Sequence, residues 1–169
     1  MRPELPRIDQ HAVVVQAPVS RSWAAVIHVV GVRLSRRTSR VLATALACAD
    51  RTSIGDPEAV GATLPGFRVA RSQPLSTWSL EGEHHFARYA LSFHLDQVDD
   101  ARSRVRAESR AAFPGREGTV YRALVIGSRG HVIAVRSILR AIKRHAERDA
   151  ALFQRDEPST HGRISHKRS

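Results

Sequence analysis

Nine histidines and one cysteine are the residues with most scope for chemistry in this chain; imidazole is the side chain that changes charge near neutral pH. His84 and His85 stand side by side at the start of an alternating segment. In a regular strand, adjacent side chains point to opposite faces, so the pair does not chelate one metal. His85 shares a face with Tyr89, and His131 lies in the apolar stripe of a later helical segment. These three could meet from sheet and helix and act as acid and base, with Glu81 or Glu83 near the mouth of the site. No third residue visibly orients either histidine. The alternative is that buried polar groups only satisfy one another.

Other signatures are missing. The chain has no P-loop, GxSxG, HExxH or dinucleotide fingerprint, and no paired CxxC, helix-turn-helix spacing or RNP aromatic motif. GSRG at Gly127 to Gly130 falls inside a helical pattern rather than after a strand, so it is no phosphate loop. Cys48 alone forms neither an intramolecular disulfide nor a metal cluster and reads as a buried small hydrophobe. No cofactor or metal is expected.

The element that positions His131 runs from Gly118 to Arg148. Its apolar residues are Tyr121, Leu124, Val125, Val132, Val135, Ile138, Leu139 and Ile142. Steps of three and four mark one face of an α-helix. Arg122, Arg129, Arg136, Arg140, Lys143 and Arg144 occupy the opposite face. At ~1.5 Å per residue the helix spans roughly 45 Å and needs an equally long surface to bury its stripe. Gly127, Ser128, Gly130 and His131 interrupt that stripe. Either the helix kinks around a core histidine, or the small residues leave room for a ligand that His131 contacts.

The covering surface comes from the segments before it. Residues 1–9 form a loose lead-in. His11 to Ala17 is a β-branched strand. Ser20 caps a helix with Trp23, Val26, Ile27 and Val30 on one side, ended by Gly31. Thr38 or Ser39 caps a second helix through Ala49, and Thr52 to Gly66 is loop with a short edge strand. From Phe67 the period becomes two. Phe67 and Val69, then Trp78 and Leu80, alternate with polar or small residues, and Glu81-Gly82-Glu83 is the hairpin turn. His85, Ala87, Tyr89, Leu91, Phe93 and Leu95 share one face of the next strand. Gln97 to Ala101 turns the chain into a strand with Val105, Ala107, Ser109, Ala111 and Phe113 inward. The clean polar side predicts an antiparallel sheet with one wet face.

At 169 residues and 42% hydrophobic content, one globular domain covers 10–149, followed by a basic, unstructured tail over 150–169. The apolar runs are too short to span a bilayer, and MRPELPRIDQ lacks the apolar core of a signal peptide. Cytoplasmic residence is the expectation. The net charge is +11, with 25 Arg against 2 Lys, but the arginines are spread along the chain. A solvated basic surface follows; no specific nucleic-acid site is expected, although weak contact with anionic lipid or RNA is possible. An uncovered sheet edge near the first strand could pair two copies.

Strand, two short helices, antiparallel strands, then one long C-terminal helix is an α+β order. It resembles the helix-grip superfamily, also called START-like or SRPBCC, which includes the birch-pollen-allergen type. HAVVVQAPVSRSWAAV is similar to that superfamily's opening, and FPGREGTVYRALVIGSRGHVIAVRSILRAI is similar to the close of bacterial members. The resemblance implies a curved antiparallel sheet wrapped around the C-terminal helix, with a cavity between them for apolar or amphipathic molecules. On that reading the ligand contacts are Phe67, Trp78, His85, Tyr89, Phe93, Ser109, Phe113, Tyr121, Ser128 and His131. Arg88 or Arg122 could meet an acidic headgroup. Three functions are carried forward: a binder of a lipid-like or polycyclic metabolite; a polyketide cyclase or dehydratase using His85, Tyr89 and His131; and a basic interaction protein for an acidic partner.

Overall fold

The computed structural model of the chain describes residues 5–84, 87–113 and 130–156. Six strands form one antiparallel sheet: β1 (Arg7–Val15), β2 (Thr63–Leu64), β3 (Phe67–Gln73), β4 (Thr77–His84), β5 (Ala87–Asp99) and β6 (Arg102–Ala112). Their order across the sheet is β1-β6-β5-β4-β3-β2. Register shifts between Arg7 and Asp9, Val69 and Arg71, and Gln97 and Asp99 bend the ladder and give the sheet its curvature. Two helices, α1 (Val19–Leu34) and α2 (Arg37–Ala45), follow β1, and α3 (Gly130–Asp156) closes the chain.

The alternation read in the sequence sets which side of the sheet is buried. Trp78 and Leu80 of β4, Leu91, Phe93 and Leu95 of β5, and Val105 and Ala107 of β6 are all buried. They meet Val26 and Val30 of α1 and Val135, Leu139, Ile142 and Ala146 of α3 in one cluster. The α3 spacing of four, three and four places those residues on a single stripe. Arg136, Arg140 and Arg144, expected on the opposite face, are exposed.

Several boundaries differ from the sequence reading. β1 begins at Arg7 rather than His11, which brings Asp9 into the sheet. Pro18, not Ser20, stands at the α1 N-cap. The helix runs through Gly31 to Leu34, because a single glycine weakens a helix without breaking it. α2 stops at Ala45, where Ala47 takes a left-handed φ of 52° and the Cys48 N–H donates to the Ala43 carbonyl at 2.9 Å. Glu81-Gly82-Glu83 is not a turn. These residues pair with Ala90, Tyr89 and Arg88 inside the β4–β5 ladder, which continues to the pair His84 and Ala87. The start expected for the long helix, Gly118, lies outside the described residues. At its other end the helix passes Asp149 and reaches Asp156. Ala150 packs on the core, and the Arg21 guanidinium lies 3.9 Å over the Phe153 ring. No helix among the described residues is long and apolar enough to cross a membrane.

One polar lock ties α3 to the end of β1. Glu147 accepts hydrogen bonds from the Gln16 N–H and from Lys143 Nζ, both at 2.8 Å, and Lys143 also donates to the Val14 carbonyl at 2.7 Å. Burial alone would raise the Glu147 pKa, but these donors outweigh it and hold the carboxyl below its ordinary value. The stabilisation is therefore full above the unfolded glutamate pKa and fades as pH falls through the lowered native value. Glu147→Gln is expected to cost about 1 kcal/mol at neutral pH. Urea denaturation of both proteins across the acid range should show that difference shrinking below about pH 4.

Candidate functional site: a cavity between the sheet, α2 and α3

Large and small side chains alternate where the sheet curves away from α3, and the packing there is incomplete. A cavity of about 410 Å³ remains. Tyr89, Leu91, Ser109 and Ala111 supply its sheet wall, with Phe113 just beyond β6. Ala43 of α2, with Cys48, Gly66 and Phe67, forms a second wall; His131, Val135 and Ile138 of α3 form a third. Residues with few polar atoms dominate all three, so water inside gains few partners.

Tyr89 is fixed from several sides. Its hydroxyl donates to the Gly66 carbonyl at 2.7 Å and lies 3.6 Å from Cys48 Sγ. Its ring meets Phe67 edge-on at 5.1 Å. The ring crosses β4 over Gly82: a Cβ there would sit 2.4 Å from Tyr89 Cε2 and 2.2 Å from the Gly66 oxygen. The glycine read as a turn residue thus clears space for an aromatic ring. Gly66 itself, at φ +83°, makes the turn between β2 and β3.

At the β1 side of the cavity lies a polar cluster absent from the sequence reading. Asp9 Oδ1 is 3.5 Å from His131 Nε2, and Asp9 Oδ2 is 3.4 Å from His11 Nε2. These distances exceed an ordinary N–H···O hydrogen bond of about 2.9 Å. Both Asp9 oxygens, the Nε2 atoms of His11 and His131, and Ser109 Oγ are buried without a hydrogen-bond partner among the described residues. Unpartnered buried polar atoms are costly, and five gathered at one place call for an explanation beyond core packing. The geometry also puts a carboxylate beside the histidine that faces the cavity, the arrangement that fixes an imidazole tautomer.

Of the residues singled out in the sequence, Phe67, Tyr89, Ser109, Phe113 and His131 line the cavity. Trp78 and Phe93 do not. Both are fully buried, stack with ring centroids 6.1 Å apart, and fill the core elsewhere, with Trp78 Nε1 donating to the Pro57 carbonyl at 3.0 Å. His85, Tyr121, Arg122 and Ser128 lie outside the described residues. Arg88 is not part of the lining, and its guanidinium sits 4.0 Å from Glu83. Cys48 is buried as expected, yet it also borders the cavity. Asp9 and His11 were readable as an i, i+2 pair facing inward with Val13 and Val15. Starting the strand at His11 hid them. Among the described residues no group of three or more His, Cys, Asp or Glu side chains is arranged to hold a metal ion.

By sequence, no protein-family model matches the chain. No curated protein matches it either. By structure, it is similar to truncated norcoclaurine synthase from Thalictrum flavum, with a TM-score of 0.53 and 13% identity over 85% of this chain and 96% of that one. It is similar to a protein of Mesorhizobium loti at a TM-score of 0.52 and 11% identity, covering 83% and 98% of the two chains. A third similar structure is the di-domain ARO/CYC BexL, from a biosynthetic pathway, at a TM-score of 0.51 and 17% identity. That match covers 82% of this chain and 46% of the BexL chain. With a six-stranded curved antiparallel sheet, two short helices after the first strand and a long C-terminal helix closing a cavity, the chain has the helix-grip fold.

Proposed function

We propose that the chain binds one small hydrophobic or amphipathic molecule, lipid-like or polycyclic, between the sheet, α2 and α3. The observation that carries this reading is the 410 Å³ hollow itself, apolar over most of its wall, with Ser39, His84, Tyr89, Ser109, Arg110 and His131 as its polar lining and Asp9 behind His131. Its volume falls in the range of small-molecule sites, roughly 300–1,000 Å³. An apolar body would gain by leaving water, and a hydroxyl or carbonyl on one end would meet Ser109 and His131. Native mass spectrometry of freshly purified protein tests the reading. A single small molecule that stays bound under gentle conditions and leaves on denaturation supports it. An empty protein that also takes up no polycyclic hydrocarbon contradicts it.

A second reading, a cyclase or dehydratase acting on an enolisable ketide, is favoured by one observation: Asp9 stands where a general base would need an orienting carboxylate. Two similar structures, a norcoclaurine synthase and an ARO/CYC, are compatible with chemistry on this fold. Under binding alone, His131→Ala changes ligand affinity modestly, by less than about tenfold. Under catalysis it lowers turnover by about 100-fold or more while affinity stays near wild type. Solvent-deuterium incorporation next to the carbonyl of a bound aromatic ketone, followed by mass spectrometry, separates the two. The Tyr89 hydroxyl is committed to the Gly66 carbonyl and is assigned to positioning, not proton transfer.

A further inference from the structure

A second hollow, about 190 Å³, opens between α1 and the C-terminal half of α3 and shares no lining residue with the first. The His28 and His145 rings stack across it, centroids 4.6 Å apart and nearly parallel at 10°. Arg33 and Arg36 line it from α1 and the residues just after, and Arg144 and Arg148 from α3. No lining residue is acidic. Asp149 reaches only the rim, with Oδ2 3.5 Å from His145 Nε2.

Four arginines of the sheet and its loops behave differently. Arg68 pairs with Asp50 at 2.8 Å, Arg102 with Asp99 at 2.6 Å and Arg106 with Asp96 at 3.1 Å, and Arg110 contacts Glu108. In the hollow, Arg33 donates to Ser137 Oγ at 3.1 Å and to the Ser137 carbonyl at 3.4 Å, while Arg148 Nε donates to the Arg144 carbonyl at 3.1 Å. Those acceptors are neutral. Arg36 and Arg144 make no ion pair among the described residues, and both are exposed. Burial, then the charges of Arg36 and Arg144, pull Arg33 below the ordinary guanidinium value. Cations are thus gathered where like charges repel and no lining carboxylate compensates, whereas several sheet arginines sit against an Asp or Glu. A composition rich in arginine explains the number of cations but not four of them around one hollow without an acidic lining residue.

We propose that this hollow binds phosphate-bearing anions, gripped from either side by Arg36 and Arg144, with Arg33, Arg148 and the stacked imidazoles completing the cradle. Guanidinium forks match phosphate oxygens two at a time, and a doubly charged tetrahedral group gives several forks an acceptor at once. A single carboxylate, with two oxygens and one charge, serves fewer. The site is independent of the apolar cavity and stands whether or not that cavity binds a ligand.

The test uses the full chain and two probes: inorganic pyrophosphate in titration calorimetry at constant ionic strength, and phosphatidylglycerol vesicles in co-sedimentation. Arg36→Ala/Arg144→Ala removes the grip. Arg71→Ala/Arg104→Ala removes the same charge from the sheet. Pyrophosphate should bind one to one, and the first pair of substitutions should weaken it by about tenfold or more. The second pair should change it by less than about twofold. Vesicle binding without pyrophosphate binding, lost only with Arg36 and Arg144, assigns the phosphate to a lipid headgroup and also supports the site. Equal losses in both variants would show that net charge alone acts. Equal losses, or binding of neither probe by the wild type, overturns the proposal.

Discussion

Trp78→Ala is expected to remove about 4 kcal/mol of folding stability, a large part of the 5–15 kcal/mol typical of a whole domain. Trp78 is fully buried in β4, stacks on Phe93 and donates its indole N–H to the Pro57 carbonyl. Truncation leaves a void bounded by a strand on each side, and strands paired on both edges cannot close it. It also strands the Pro57 acceptor. Trp78→Phe keeps most of the volume and loses only the hydrogen bond and part of the stack, so about 1–2 kcal/mol is expected. Chemical denaturation followed by far-UV circular dichroism reads both, because backbone signal does not depend on the tryptophan removed. A loss below about 1 kcal/mol for the alanine variant would mean that this residue does not anchor the core.

Gly82→Ala is expected to cost about 3 kcal/mol although it adds a single methyl group. That methyl meets the Gly66 carbonyl oxygen at 2.2 Å and the Tyr89 ring at 2.4 Å. The carbonyl belongs to backbone at a left-handed turn and gives way little, so the β4 backbone must shift and the Tyr89 ring must move as well. Either shift breaks the Tyr89 hydroxyl bond to Gly66 and reshapes the cavity wall. Adding Tyr89→Ala relieves half of the clash. The double variant should therefore lose less than the sum of the two single losses, by about 1 kcal/mol or more. Strict additivity would show that the ring and the glycine do not share the space.

Much of this architecture was legible because its two periodicities are clean. Alternation in β5 and β6 placed Ala87, Tyr89, Leu91, Phe93, Val105, Ala107 and Ser109 on the inner side, and the 3–4 spacing of Val135, Leu139 and Ile142 oriented α3. Element order then resembled one fold, which the structural neighbours share. The errors came where local rules compete. Glu81-Gly82-Glu83 has turn composition, but Gly82 serves the Tyr89 ring. Trp78 and Phe93 are aromatic and inward, as a cavity lining would be, yet periodicity says which face a residue is on and nothing about how far along that face the packing opens. Asp9 was missed because a charged residue close to prolines reads as lead-in, and without it His11 had no partner to mark it. The α1–α3 hollow was not visible at all, since His28 and His145 are 117 positions apart and meet only through packing.

The central claim, that the interior hollow receives an apolar ligand, is tested most directly by titrating a neutral naphthalene-based fluorophore into wild type and Ala111→Trp. Ala111 faces the cavity from β6 opposite Tyr89, so an indole there occupies the space without altering surface charge. The account predicts saturable one-to-one binding by wild type and a loss of about tenfold or more in the variant, with stability changed by less than about 2 kcal/mol. Equal affinity in the two folded proteins, or no binding by the wild type, would contradict it.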